Sequence, residues 1–174
     1  NIERVIKKAA GGGDGVVYEE ITYEGYGPSG IAVIVETTTD NRNRTASEVR
    51  HYFDKFGGNL GQSGCVSYLF ETKGVIVIER REVDEDKLME EALEAGAADI
   101  VADEEVFEIY TEPDDLGAVR EALERKGYEI LSAEQDRIPA TYTALENEDD
   151  IKHMNLLLEH LEDNDDVQAV YHNW

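Results

Sequence analysis

"GVIVIERREVDEDKLMEEALEAGAADIVADEEVFEIYTEPDDLGAVREALERKGYEILSAEQDRI", residues 74–138, is the stretch that decides the fold. Its runs "GVIVIER", "ADIVAD", "VFEIYT" and "YEILSAEQDRI" predict strands, whereas "DEDKLMEEALEAGA" and "PDDLGAVREALERKG" predict helices. In the first helix we expect Leu88, Ala92 and Leu93 to face inward. The order strand, helix, strand, strand, helix, strand is that of a split βαβ, or ferredoxin-like, unit.

The flanking segments supply the elements of a second unit of the same kind. Before residue 74 come two strands, "VVYEEITYEGYG" and "IAVIVETTT", a helix over "NRTASEVRHYFDKFGG" with Asn43 or Thr45 as its cap, and a strand in "CVSYLFET". After residue 138 come a strand "ATYTAL", a helix from about residue 148 to 161, and a strand "VQAVYHNW".

These elements predict an α+β protein with two ferredoxin-like domains, one inserted into the other. Residues 16–73 plus 139–174 form the discontinuous domain, and residues 74–138 form the inserted one. We prefer this arrangement because the closing strand, helix and strand would otherwise have no sheet to join.

The first fifteen residues predict the end of a helical domain followed by a hinge. Ile2 and Ile6 are four residues apart, which suits one face of a short helix, and "GGGDG" at 11–15 imposes little backbone preference. Because no N-cap precedes the helix, we expect the chain to begin inside a larger structure, with residues 1–15 as the remnant of its helical domain.

Negative charge is concentrated after residue 65. Residues 1–65 carry seven basic and nine acidic side chains, whereas residues 66–174 carry nine basic and thirty-one acidic ones. Such a surface repels phosphate, so a nucleic-acid contact is expected to use the nearly neutral first third or a segment outside this sequence. The acidic face either keeps the protein in solution or meets a cationic protein partner.

Composition also bears on the compartment. Cys65 is the single cysteine and cannot form a disulfide within the chain, which is typical of a reducing compartment. No apolar run approaches the roughly 18 residues of a membrane span. We therefore expect a soluble, cytoplasmic protein without membrane contact.

The sequence lacks the patterns of an enzyme. No nucleotide-binding glycine motif is present, and "GGNLGQSG", residues 57–64, has no phosphate-binding lysine and predicts a tight turn. Nothing orients His51 toward Cys65, and His153 and His160 lack the spacing of a helical metal site. The run "EDNDDVQ", residues 162–168, lacks the glycine of a calcium loop. We expect no catalysis, no metal and no cofactor.

The stretch "TDNRNRTASEVR", residues 39–50, is the candidate binding site. It gathers three arginines at the junction of a strand and a helix, where guanidinium groups, amides and helix N–H groups can bind phosphate. The alternative is a structural ion-pair network with Asp40, Glu48 and the acidic neighbouring domain. The candidate residues are Asn41, Arg42, Asn43, Arg44, Thr45 and Arg50.

Long segments of the chain resemble the YebC/PmpR family, which includes the mitochondrial translational activators of cytochrome c oxidase. The resemblance is carried by "DNRNRTASEVRH" at 40–51 and "GGNLGQSGCV" at 57–66, within a longer match over 18–70. The opening "NIERVIKKA" and the ending from residue 138 are also similar to the family, so the resemblance covers essentially the whole chain.

The resemblance implies three domains, namely a basic helical domain and two α+β domains, of which nearly all of the first is absent from this sequence. It implies a nucleic-acid-associated regulator of gene expression that binds mainly through that helical domain. Ribosomal RNA is the preferred target, with relief of stalling at stretches such as polyproline, and DNA regulation is the alternative. The location implied is the cytoplasm, or the mitochondrion for a eukaryotic relative. The match at Asn41–Thr45 and Arg50 implies the same candidate site.

Overall fold

The structure is a computed structural model that describes residues 17–174, so the predictions made for residues 1–15 lie outside the described residues. The strands are β1 Glu19–Tyr26, β2 Ala32–Thr39, β3 Asn59–Leu60, β4 Phe70–Glu79, β5 Asp99–Ala102, β6 Val106–Thr111, β7 Ile130–Pro139 and β8 Val167–His172. The helices are α1 Arg42–Lys55, α2 Glu85–Ala95, α3 Leu116–Arg125 and α4 Glu148–Asp163.

The chain divides into two compact units. The first comprises the described residues up to Phe70 together with Pro139–Trp174, and the second comprises Glu71–Ile138. Each unit contains one four-stranded sheet. Among residues 17–174, no helix has the length and apolar character needed to cross a membrane.

The second unit has the ferredoxin-like arrangement. Its strands lie in the order β5-β6-β4-β7, so the first and third strands of the unit, β4 and β6, are neighbours at the centre. Helices α2 and α3 pack on one face, where their apolar side chains meet those of β4 and β6. This core contains Ile76, Ile78, Leu88, Ala92, Phe107, Ile109, Val119 and Leu123.

The first unit has the same spatial layout with a different path of the chain. Its strand order is β3-β1-β2-β8, with β1 antiparallel to both β2 and β3, and β2 antiparallel to β8. In the second unit, the strands lie in the order second, third, first, fourth along the chain. The first unit has the same order if β2 takes the place of the first strand, β3 of the second, β1 of the third and β8 of the fourth. The predicted α+β fold with two ferredoxin-like units is therefore confirmed.

Strand β2 is the centre of the first unit because both of its faces are covered. On one face Ile31, Val33 and Val35 pack against apolar side chains of α1 and α4. On the other face Ala32 and Ile34 pack against Val66 and its neighbours. An unbroken apolar strand of this kind is expected where both faces are buried.

Two predicted strands were wrong. The segment "ATYTAL", residues 140–145, contains no strand, although Thr143 N donates to Asn173 O at 2.7 Å. β8 lies at the end of its sheet, and this segment does not pair along the outer edge of β8 within the described residues. The start of "CVSYLFET" forms a single 3-10 turn, Ser67–Leu69, and only the residues from Phe70 onward enter β4.

Two details of the predicted helices were also wrong. Helix α1 is capped by Asn41, not by Asn43 or Thr45, so it begins earlier than predicted. In α2, Leu88 and Ala92 are fully buried, but Leu93 is 53% exposed. Leu93 follows Ala92 by one residue, which rotates it by about 100° away from the core.

A buried carboxylate on β1 organises the loop that covers the outer face of β2. Glu24 Oε2 accepts from Gly64 N at 2.6 Å, and Oε1 accepts from Val66 N at 3.2 Å and Ser67 N at 2.7 Å. The N–H groups of the glycine-rich loop therefore bind a side chain of the protein itself. Val66, which seals Ala32 and Ile34, is held in place by this contact.

Candidate nucleic-acid interface

The candidate residues lie at the junction of β2 and α1, where side-chain hydrogen bonds set the start of the helix. Thr39 Oγ1 accepts from Asn41 N at 2.9 Å, and Asn41 Oδ1 accepts from Arg44 N at 3.1 Å. Such an N-cap satisfies a backbone donor that has no partner within the helix. The role of Asn41 visible in the structure is therefore to fix the direction in which α1 leaves the sheet.

Thr45 is buried and forms part of a polar cluster. Its hydroxyl lies 2.7 Å from Thr39 Oγ1 and donates to Asp166 Oδ2 at 2.8 Å. Asp166 N is bonded in turn to Asn164 Oδ1 at 2.9 Å, which shapes the turn between α4 and β8. Thr45 thus fastens α1 to the strand at the edge of the sheet and has no surface to offer a ligand.

Arg44 is held by two carboxylates. Its Nη2 lies 2.9 Å from Asp40 Oδ1 and 3.0 Å from Asp166 Oδ2. The hydrogen bonds to Asp166 and to Asp40 raise the pKa of the guanidinium above its ordinary value. The structure thus places Arg44 in an internal ion-pair network, although its side chain remains 44% exposed.

Arg42, Asn43 and Arg50 are exposed on α1. Arg42 is 67% exposed and its nearest ion-pair partner, Glu19 Oε2, is 3.8 Å from Nη1. Asn43 and Arg50 are seven residues apart, so they share one face of the helix. Within residues 17–174, Arg50 forms no ion pair. We call Arg42, Asn43 and Arg50 the α1 polar face.

The surroundings of Arg44 are strongly acidic. A cavity of about 380 Å³ is lined by Arg44, Asn164 and the carboxylates of Asp40, Glu48, Asp165 and Asp166. Glu48 Oε2 accepts from Asn164 Nδ2 at 2.7 Å. The acidic groups outnumber the single guanidinium, so this end of the site repels phosphate. The candidate residues therefore separate into a structural cluster and an exposed face.

The remaining chemical candidates do not converge. Cys65 packs near Ala32, Ile34 and Val66, and burial, followed by the charge of Glu24, raises the pKa of its thiol. A raised thiol pKa reduces the thiolate population, which is the opposite of what a nucleophile requires. His51 lies on the exposed side of α1. No cluster of histidine, cysteine and carboxylate side chains suited to a metal ion occurs in the described part of the chain.

Sequence reasoning missed the importance of Asp166. This residue lies in "EDNDDVQ", which suggests only a polar helix end. Its carboxylate nevertheless accepts hydrogen bonds from Thr45 and Arg44, which lie more than a hundred positions earlier in the chain. The adjacent Asp165 is exposed and looks identical in a sequence pattern. Only the pairing of β8 with β2 brings Asp166 to the start of α1.

Replacing Asp166 with alanine is expected to lower the free energy of unfolding by about 2 kcal/mol, because Arg44 and the buried Thr45 hydroxyl lose their shared acceptor. Chemical denaturation of the purified variant measures this loss. Asp165→Ala is the matched control and should stay within about 0.5 kcal/mol of the wild type, since Asp165 is exposed. Equal effects of the two substitutions would show that the Asp166 network does not stabilise the fold.

The fold and the site together define an α+β protein of two ferredoxin-like units, in which the candidate binding site is an exposed helix face and not an enclosed pocket. The chain belongs to the TACO1/YebC family, since the family model described as "TACO1/YebC second and third domain" matches residues 18–174. The family predicted from the sequence is therefore confirmed.

Relatives from several bacteria match almost the whole chain. A protein of Ruminiclostridium cellulolyticum is 63% identical over 175 residues, covering 100% of this chain and 71% of the relative. One from Acetivibrio thermocellus is 60% identical over 174 residues, covering 99% of this chain and 72% of the relative. Both bear the name "Probable transcriptional regulatory protein". A crystal structure of a conserved hypothetical protein from Aquifex aeolicus matches with a TM-score of 0.82 and 52% identity, covering 99% of this chain and 71% of that one.

Proposed function

We propose that the protein is a non-enzymatic, cytoplasmic regulator of gene expression that binds nucleic acid, and that the α1 polar face contributes to this binding. The observation that carries the proposal is the exposure of Arg42, Asn43 and Arg50 on one helix, with Arg50 free of ion pairs among residues 17–174. The name of the bacterial relatives, which describes transcriptional regulation, supports the same class of function.

The chemistry of this face suits a phosphate backbone. Guanidinium groups donate several hydrogen bonds in a planar fork, and an asparagine amide adds a donor and an acceptor. The network around Asp166 contributes indirectly, because it fixes the first turn of α1 from which Arg42 and Asn43 project. Arg44 belongs to that supporting network, so we assign the contact with phosphate to Arg42 and Arg50.

Ribosomal RNA is the target that we propose, with relief of stalling at stretches such as polyproline as the outcome. A short polar helix face suits irregular RNA better than the regular major groove of duplex DNA, which a recognition helix must enter along its length. The acidic remainder of the chain opposes binding to long regular stretches of phosphate. DNA regulation is the alternative, favoured by the name of the relatives.

Crosslinking the protein to nucleic acid in living cells decides between these targets. We expect ultraviolet crosslinking followed by sequencing to recover ribosomal RNA in excess over promoter DNA. The matched control is the Arg42→Ala/Arg50→Ala variant, which should lower the yield at the same sites. Recovery of promoter DNA alone would replace the translational role with the transcriptional one, and recovery of neither would contradict the proposal.

A second candidate function is favoured by the charge of the second unit. Residues 71–138 carry 22 acidic and 8 basic side chains, and none of the candidate residues lies in this unit. An acidic surface of this strength attracts cationic protein segments. We propose that the second unit serves as a protein-interaction module, in addition to the nucleic-acid contact that we assign to the first unit.

A further inference from the structure

The sheet of the second unit has one face covered by helices and one open face. Directly paired residues on neighbouring strands project to the same side. Ile76 pairs with Ile109, and both belong to the core beneath the helices. The alternate pairs, Val75 with Tyr110 and Val77 with Glu108, therefore project to the other side. The apolar members that this register places on the open face are Val75, Val77, Val101, Val106 and Tyr110. Leu131 of β7 lines a depression together with Val106 and Glu79 of the same face.

Several of these side chains remain in contact with solvent. Val101 is 46% exposed and Leu131 is 53% exposed, whereas the buried Phe107 and Ile109 on the helix-covered side are inaccessible. Val75, Val77 and Tyr110 are partly accessible. Apolar side chains grouped on one face of a folded protein mark a site of interaction more often than scattered apolar residues do.

Carboxylates lie among these apolar side chains as well as around them. Asp99 pairs with Tyr110 in register, and Glu108 pairs with both Val77 and Val101. At one end, a depression of about 700 Å³ is lined by Val106 and Leu131 with Glu79, Glu104 and Glu105. Arg80 and Arg81 also line it. Arg80 bonds to Asp103 O at 2.8 Å and to Glu85 Oε2 at 3.5 Å, and the three carboxylates outnumber the two guanidinium groups. The open face is therefore a mixed surface, with apolar side chains on β4, β5 and β6, one carboxylate, Glu108, between Val77 and Val101, and further carboxylates at its end.

We propose that the open face docks a basic amphipathic segment of a partner protein, with its apolar side on the valines and its lysines or arginines on the carboxylates of the same face. Charge complementarity identifies this occupant. A second copy of the chain would bring two sets of carboxylates together, and nucleic acid would bring phosphate against them. The proposal rests on the protein-interaction role given above and assigns its surface and the chemistry of its partner.

Binding of a designed peptide tests this assignment. The probe is a fluorescent helix of leucine and lysine with leucine at every third or fourth position, and its control is a scrambled peptide of the same composition that lacks the apolar stripe. Val101→Lys/Leu131→Lys places two positive charges on the open face. Met89→Lys/Leu93→Lys is the matched control, because these residues of α2 are 40% and 53% exposed and lie away from that face.

We expect the first double variant to weaken binding about ten-fold and the control to change it less than about two-fold. Val101→Ser/Leu131→Ser should also weaken binding, because it removes apolar contact without adding charge. The serine variant also replaces the lysine variant if the lysine variant unfolds. Equal weakening by both lysine variants, or equal binding of the scrambled peptide, would reduce the effect to general attraction and overturn the proposal. Absence of peptide binding would overturn it too.

Two further measurements distinguish other outcomes. We expect sedimentation of the protein alone to show no dimer formed through the open face. A dimer that Val101→Lys/Leu131→Lys dissociates would instead show that a second copy of the chain occupies this face. Ribosome binding by the same variant should remain at the wild-type level, because the α1 polar face is unchanged. Loss of peptide binding with intact ribosome binding supports the docking surface, whereas failure of ribosome binding in the wild type contradicts only the nucleic-acid role.

Discussion

Replacing Glu24 with alanine is expected to lower the free energy of unfolding by about 3 kcal/mol, the larger of the two stability losses predicted here. The substitution leaves the N–H groups of Gly64, Val66 and Ser67 without their carboxylate acceptor. Each unsatisfied buried donor costs about 1–3 kcal/mol, less where water reaches it. Because Val66 covers β2, loosening of the loop also exposes apolar surface.

Urea denaturation monitored by circular dichroism measures this effect. Glu20→Ala is the matched control, since Glu20 lies on the same strand but is exposed. Its effect should stay within about 0.5 kcal/mol. Glu24→Gln should fall between the two, because one oxygen still accepts a hydrogen bond while the amide nitrogen faces a donor. A Glu24→Ala variant as stable as Glu20→Ala would show that the loop does not depend on this carboxylate.

The same contact has a defined pH dependence. Burial raises the pKa of Glu24, but the hydrogen bonds from Gly64, Val66 and Ser67 outweigh it and hold the pKa below the ordinary value of 4.5. The folded state thus favours the ionised carboxylate, so its contribution is complete above the ordinary pKa and disappears as pH falls through the lower folded pKa. The difference in stability between wild type and Glu24→Ala should therefore shrink as pH falls below 4.5.

The periodicity of the sequence was sufficient for most of the fold. In residues 74–138, the alternation of the strands and the periodicity of the helices coincide with the pattern of buried side chains. In β6, for example, Phe107 and Ile109 are buried between partly exposed neighbours. Periodicity failed for "ATYTAL", because alternation alone does not supply backbone pairing: Thr143 N bonds to Asn173 O just past the end of β8, but the segment forms no ladder along the outer edge of β8. It failed at Leu93 because an apolar residue beside the buried stripe of a helix can remain in solvent.

The candidate site was predictable as a segment but not residue by residue. The composition of "TDNRNRTASEVR" identified a cluster of phosphate-binding groups, yet Arg44 and Arg42 look equivalent in the sequence. Their difference depends on Asp166, which reaches Arg44 only when β8 pairs with β2. The acceptor role of Glu24 was hidden for the same reason, since its partners lie 40 to 43 residues away.

Replacing Arg42 and Arg50 together with alanine is expected to weaken binding to ribosomes about one hundred-fold, or about ten-fold for each lost charged contact. Folding should be almost unchanged, with a loss below about 1 kcal/mol, because both side chains are exposed. Arg42→Lys/Arg50→Lys should recover part of the affinity, since lysine keeps the charge but lacks the planar fork. Thermal denaturation confirms that the variants are folded before binding is compared.

The α1 polar face is tested most directly by co-sedimentation with purified ribosomes across a series of salt concentrations. Arg120→Ala/Arg125→Ala is the matched control, because it removes the same two charges from exposed positions on α3. We predict that Arg42→Ala/Arg50→Ala lowers the dependence of log affinity on log salt by about two units, one for each lost phosphate contact, while the control retains the wild-type slope. Equal slopes for both double variants would contradict the assignment of the nucleic-acid contact to Arg42 and Arg50.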